Sequence, residues 1–330
     1  MKMCEITLKS EPDKMLRQWQ EALLNIVFYS VVIGICFIVL YPLIKLLPSV
    51  FSDLSQIGEQ GSIWIPKKFS IDSFKLAVTL VYGDAATMLT TIVHSIVASF
   101  IQMFMSALMG YAIARENFWY TKIMTALVIL VMIVPQQAIL IFQYISFKQF
   151  SLFGLIPLVN GGNTVDLINN PLVLLMINFL GFGVKQSVFV FMFRQYFNSF
   201  PTVLEEAARI DGCGYFKTYL RIAFPNAKPI IMVVLTLSLV WNYGDTYYTG
   251  YFYPDGAFAA TKLSSLFQWS NRNLVSQVAE RLFGVHGDEM IILDAAKHAA
   301  VLLYILPLLI FYLLIQRNLV QNFENSGIVG

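Results

Sequence analysis

Six stretches of this 330-residue chain are long and apolar enough to cross a lipid bilayer, and no other feature limits its possible folds so strongly. They run over Ala22 to Leu47, Ala86 to Ala114, Ile123 to Tyr144, Pro171 to Phe193, Ile230 to Tyr248 and Ala299 to Ile315. Hydrocarbon offers no water to unpaired backbone groups, so a spanning helix must supply about 20 mainly apolar residues. Composition agrees: 57% of residues are hydrophobic and 13% charged, against roughly 45–50% and about 25% in soluble chains. The first stretch is too long for a signal-peptide core and no small-x-small cleavage pattern follows it, so it reads as a retained helix. The expected fold class is all-α, a polytopic membrane protein with six transmembrane helices.

Twenty-two basic against twenty acidic residues leave a formal charge of +2, too small a field to recruit nucleic acid. Cys4, Cys36 and Cys213 are too few and scattered for a disulfide scaffold or a zinc site. His94 and His286 lack companions at metal-ligand spacing, so no metal, cofactor or catalytic role is assigned within this chain. Basic residues near span ends resist translocation. With the N-terminus inside, twelve Lys and Arg fall in the 79 residues of segments 1–21, 115–122, 194–228 and 316–330. Nine fall in the 117 residues of segments 45–85, 145–170 and 248–297, so both termini are expected in the cytoplasm. A short arm, 1–21, then precedes one transmembrane domain, 22–330, with no room for an attached catalytic domain.

Long connections usually carry function or structure of their own, and segment 194–228 is the most informative. Thr202 and Glu205 stand at capping-box spacing, and Gly212 suits the left-handed residue that ends a helix. A helix of roughly nine residues is thus expected, with Glu205 placed to pair with Arg209 on its surface. Val203, Ala207 and Ile210 share one apolar stripe. A second short helix follows Gly214, and Pro225 and Pro229 punctuate the approach to span five. Small Ala207 and Ala208 permit close backbone approach, so this hairpin can dock in a partner's groove and offer Glu206 to a basic residue. Alternatively, it only covers the ends of its own spans.

Glu206-Ala207-Ala208, then Asp211-Gly212, then Phe224-Pro225 and Pro229 resemble the EAA loop of ABC importer permeases, with Cys213 where that pattern commonly has Ala. Ile65-Pro66-Lys67-Lys68-Phe69-Ser70, Arg194-Gln195-Tyr196-Phe197 with Pro201, Trp241-Asn242, and Leu306-Pro307 with Gln316-Arg317 resemble the MalG-like branch of the maltose-type carbohydrate permeases. The resemblance runs from about residue 20 to the C-terminus. It departs from the pattern at the tail, Ser326-Gly327-Ile328-Val329-Gly330, where the family often ends in a basic stretch, and in segment 248–297, which is longer than usual.

The resemblance implies a permease subunit in a bacterial cell membrane that performs no chemistry. Its implied partners are a second permease, two copies of a cytoplasmic ATPase carrying ATP and magnesium, and an extracellular solute-binding protein delivering sugar. By position, Glu206 would contact the ATPase with Glu205 beside it, Ala207 and Ala208 would allow close packing, and Asp211 and Gly212 would form the turn.

Within the spans, Lys185 is an expensive charge that points to a pathway, a buried partner or a snorkelling side chain. Gly181, Gly183, Gln186 and Ser187 around it suit a wet cavity, and an acidic sugar is one cargo that Lys185 could meet. Trp241, Asn242 and Asp245 are candidate pathway residues, although aromatic residues also populate membrane interfaces. Asp294 stands three and four residues before Lys297 and His298, close enough for local pairing. Pro42, Pro135 and Pro307 are expected to bend helices. A secondary transporter or channel would also use six spans, with Lys185 and Asp245 as a charge relay, but needs no docking hairpin. A membrane transferase would want clustered acids, histidines or a nucleophile, and a permease for a non-sugar solute would share the EAA loop.

Overall fold

A computed structural model describes residues 11–54, 65, 66, 68–83, 85–116, 118–151, 164–256, 258–267, 272–284 and 289–327. Cys4, Lys67, His286, arm residues 1–10 and tail residues 328–330 lie outside them. The described chain is helical: α1 (Glu11–Phe51), α2 (Asp72–Ala77), α3 (Ala85–Arg115), α4 (Trp119–Ile133), α5 (Gln136–Lys148), α6 (Pro171–Phe179) and α7 (Gln186–Ser199) come first. Then follow α8 (Val203–Ile210), α9 (Tyr215–Asn226), α10 (Lys228–Tyr243), α11 (Tyr247–Phe252), α12 (Ala259–Leu266), α13 (Arg272–Phe283) and α14 (Glu289–Gly327). Extended pairing among the described residues is limited to isolated bridges, Ser52 with Phe69 and Phe150 with Val165.

Three helical stretches can each cross a bilayer alone: Trp19–Phe51, Ala86–Arg115 and Met290–Arg317. Two further candidates are bent pairs, α4 with α5 at 108° and α9 with α10 at 81°. Against the six spans expected, the described residues thus hold three helices long and apolar enough to cross alone, or up to five candidates if each bent pair is one span. Local chemistry explains the difference. Pro135 has no N–H and forces the residue before it out of the helical region; Val134 accordingly sits at φ −65°, ψ 130°, and the expected third span breaks there. The fourth breaks between α6 and α7, where Gly181 and Lys185 both take positive φ, +89° and +56°. Asn170 starts α6 by accepting the Leu172 N–H at 2.9 Å, with Pro171 in the first turn. Pro42 and Pro307 lie inside α1 and α14 without ending them.

Three apolar cores hold these pieces together. The end of α1 packs with α2, α12, α13 and the start of α14, where Ala295, Ala296, Ala299 and Ala300 allow close approach. Tyr82 donates to the Ala300 carbonyl at 2.8 Å in that core. A second core joins α3, α7, α9 and α10 through Tyr111, Phe189, Phe193, Phe197 and Tyr219. A third joins α5, α6 and α11. Tyr243 and Tyr304 each donate to the other's carbonyl at 2.8 Å, tying α10 to α14. The apolar window of α1 buries none of its residues within the chain, as expected of a helix whose solvent is lipid.

The α3–α7 contact is the tightest of these junctions. A Cβ on Gly110 would lie 2.6 Å from the Phe193 Cβ and 2.9 Å from both the Arg194 nitrogen and the Val190 oxygen. Two of those neighbours are backbone and cannot rotate away, so Gly110→Ala must push the helices apart. Such overpacking costs about 1–3 kcal/mol. Thermal unfolding of purified protein is expected to show a lowered midpoint, and an unchanged one would contradict the close contact.

Candidate functional site

The turn between α7 and α10 is hung from the end of α3 by a buried ion pair. Glu205 is 2% exposed and Arg115 is 8% exposed at the side chain. The Arg115 Nε and Nη2 atoms lie 2.9 and 2.8 Å from Glu205 Oε1, and Nη2 also donates to the Phe200 carbonyl at 2.9 Å. Tyr111 donates to Glu205 Oε2 at 3.1 Å, and the Arg209 Nη2 stands 4.0 Å from that oxygen. Charge-assisted bonds of this kind are the strong ones. The capping box expected from spacing does not form, because Thr202 is itself helical and makes no side-chain cap bond, while Glu205 turns inward. Nor are Glu205 and Arg209 a surface pair. Arg115 lies ninety residues from Glu205, so no local spacing could have announced the pairing.

Aromatic rings bed the turn. Tyr111 packs against Phe197, Tyr215 and Tyr219 at centroid distances of 5.2, 5.5 and 4.9 Å. The Arg209 guanidinium lies 5.6 Å from the centre of the Tyr215 ring. Tyr196 donates to the Asn226 carbonyl at 2.7 Å, fastening the far end of α9 to α7. As the sequence suggested, Gly212 ends α8 in the left-handed region, φ +83°. The N–H groups of Gly212 and Cys213 return to the carbonyls of Arg209 and Ala208 at 3.0 and 2.9 Å.

With Glu205 and Ala208 turned in, the other face of α8 points away from the chain. Val203 is 70% exposed and Ile210 87%, and Leu204, Glu206, Ala207 and Asp211 are exposed with them. A helix that only covered the ends of its own spans would bury that apolar stripe, and this one does the opposite.

The polar span residues separate into two places. Lys185 sits exposed at the break before α7, and with Gln186 it lines a cavity of about 460 Å³ between that break and the α4–α5 elbow. Gln186 itself is buried, its Oε1 accepting the Gly183 N–H at 2.9 Å. Trp241, Asn242 and Asp245 are absent from that lining. Trp241 packs tilted against Phe189, with centroids 5.3 Å apart, beside the second core. Asn242 is buried and donates to Gln102 Oε1 at 2.8 Å and to the Ser238 carbonyl at 2.9 Å. Asp245 accepts the N–H groups of Tyr247, Tyr248 and Thr249 at 3.2, 3.2 and 2.9 Å, and so caps α11. Asp294 pairs with Lys297 at 3.9 Å, whereas the His298 Nδ1 meets Ser49 Oγ at 2.9 Å rather than its own helix. Gln102, which accepts from Asn242 of α10 and donates to the Val184 carbonyl in the break before α7, escaped the sequence reading; the signal was a polar residue on a strongly apolar span.

Long apolar helices, broken spans around a cavity and an outward-facing helical turn mark a multi-pass membrane protein. Residues 102–325 match the family described as binding-protein-dependent transport system inner membrane component, and the chain belongs to that family. It is 23% identical, over 92% of its length and 94% of the relative, to the maltodextrin transport system permease protein MalD of Streptococcus pneumoniae. It is 20% identical, over 93% and 99%, to the polygalacturonan/rhamnogalacturonan transport system permease protein YtcP of Bacillus subtilis. Its fold is similar, with a TM-score of 0.52 and 17% identity over 94% of this chain and 98% of the other, to a chain of a bacterial ABC transporter involved in import of the acidic polysaccharide alginate.

Proposed function

We propose that this chain is the permease subunit of a bacterial ABC importer for a sugar or oligosaccharide, and that α8 is the element through which ATP hydrolysis on partner subunits drives translocation. The supporting observation is the orientation of α8: its acidic root is locked onto α3 while Val203, Glu206, Ala207 and Ile210 face outward, ready to enter a groove. Burying exposed Val203 and Ile210 would contribute roughly 1.5–3 kcal/mol each. Glu206 then meets a basic residue on an ATPase that carries the ATP and magnesium. A rigid tie between Glu205 and Arg115 passes force on α8 directly into α3.

In this reading the spans make six crossings, the third to fifth of them broken, and both termini lie in the cytoplasm. A second permease completes the pathway, two ATPases bind the α8 turns, and a solute-binding protein delivers cargo from outside. Family membership supports the dependence on a binding protein, and relatives named for maltodextrin and for polygalacturonan support a saccharide cargo.

Glu206→Lys tests the docking role. Like charges opposed at an interface cost several kcal/mol, so uptake should fall at least about tenfold, while the amount of protein in the membrane and basal ATP hydrolysis persist. Normal uptake by a reconstituted Glu206→Lys complex would remove α8 from the coupling path.

A further inference from the structure

Two helix breaks face one another across the cavity that Lys185 lines, and the chemistry they bring there is one-sided. On one wall is the elbow at Val134 and Pro135, from which α5 begins; on the other is the break at Gly181 to Lys185, from which α7 begins. Neither helix start carries a side-chain cap, so both present the positive ends of their backbone dipoles. Non-helical backbone at membrane depth is tolerated where it lines a water-filled space. Broken helices whose N-termini open on such a space suit anionic groups.

The side chains agree. Lys185 is the one charged group among the described residues lining the cavity, and no carboxylate lines it to neutralise the ammonium. Lys185 is held at φ +56°, an uncommon conformation for a residue with a Cβ. Two buried amides on the wall are left wanting. Gln186 is 1% exposed and its Nε2 has no hydrogen-bond partner, and Gln143 is 8% exposed with its Oε1 equally unpaired. Unsatisfied buried polar groups are costly and call for a ligand or water. A donor, an acceptor and a cation on one lining, with Phe182 and Tyr248, match a carboxylate with neighbouring hydroxyls.

We infer that this cavity binds an anionic sugar, a uronate residue of an oligosaccharide, with Lys185 holding its carboxylate and Gln186 and Gln143 its hydroxyls. The inference rests on the permease reading and narrows it: the importer's cargo is acidic. The volume, about 460 Å³, lies in the range of small-molecule sites, roughly 300–1,000 Å³. One ammonium neutralises one carboxylate, whereas a dianionic phosphate would leave a charge uncompensated in a mostly apolar wall.

The test uses the whole complex purified through this chain, in phosphatidylcholine nanodiscs, with trigalacturonate and its neutral methyl ester as probes. The acid should bind at least about tenfold more tightly than the ester, because a desolvated ion pair separates them. Lys185→Gln should weaken the acid about tenfold and leave the ester within about twofold, and Lys185→Arg should restore most of the loss. Equal affinities of acid and ester, or an unaltered acid affinity in Lys185→Gln, would overturn the inference. If replacing phosphatidylcholine by phosphatidylglycerol abolishes the difference, a lipid headgroup is the occupant and the inference is again overturned. Co-purification of an ATPase is scored in the same preparation, so failure of the permease reading is seen separately from failure of the site.

Discussion

Glu205→Ala and Arg115→Ala are each expected to loosen the α7–α10 turn by about 3–5 kcal/mol, because each strands a buried charge whose partner has gone. The Glu205 carboxylate lies beneath the turn with Arg115 and Tyr111 bonded to it, and its loss leaves the guanidinium beside apolar rings. Arg115→Ala also frees the Phe200 carbonyl. Limited trypsin digestion should then cut at Arg209, which the native turn holds against the Tyr215 ring, and at Lys217 in the next helix. The double variant should cost clearly less than the two single losses together, since neither charge is then stranded. Wild-type protease resistance in either single variant, or strict additivity in the double, would show that the pair does not hold the turn.

That pair also marks where the sequence stops being legible. Hydropathy located the three helices able to cross a bilayer alone because the bilayer punishes unpaired backbone uniformly along a span. The α8 boundary at Gly212 was readable because a positive φ is a local demand on one residue. Glu205 was not readable: a carboxylate at capping-box spacing looks alike whether it turns to its own helix start or to an arginine ninety residues away. The same limit applies to Trp241, Asn242 and Asp245, which sequence grouped as one aromatic and polar face. Tertiary packing divides them between a core, a buried amide network and a helix start. Pro135 announced a bend, but the break at Lys185 came from two positive-φ residues in a stretch whose hydropathy reads as one helix.

Gly212→Pro carries the other large effect. Gly212 sits at φ +83° and its N–H bonds to the Arg209 carbonyl at 3.0 Å. Proline fixes φ near −65° and has no N–H, so the turn must be rebuilt at a local cost of about 3 kcal/mol or more. The transmembrane cores do not involve this residue, so membrane insertion should match wild type. Uptake should be lost while ATP hydrolysis continues without it, as expected when α8 no longer presents Val203, Glu206 and Ile210 together. Wild-type uptake by Gly212→Pro would mean that the shape of this turn is immaterial to transport.

The most direct measurement places a photo-activated cross-linker at Val203 or at Ile210, one at a time, in the complex as it sits in the membrane, and identifies the captured chain by mass spectrometry. Capture of a nucleotide-hydrolysing subunit, with a yield that changes when ATP is supplied, is the expected result. Capture of no such subunit from either position, together with labelling of a cysteine placed there by an impermeant reagent added outside intact cells, would contradict the account.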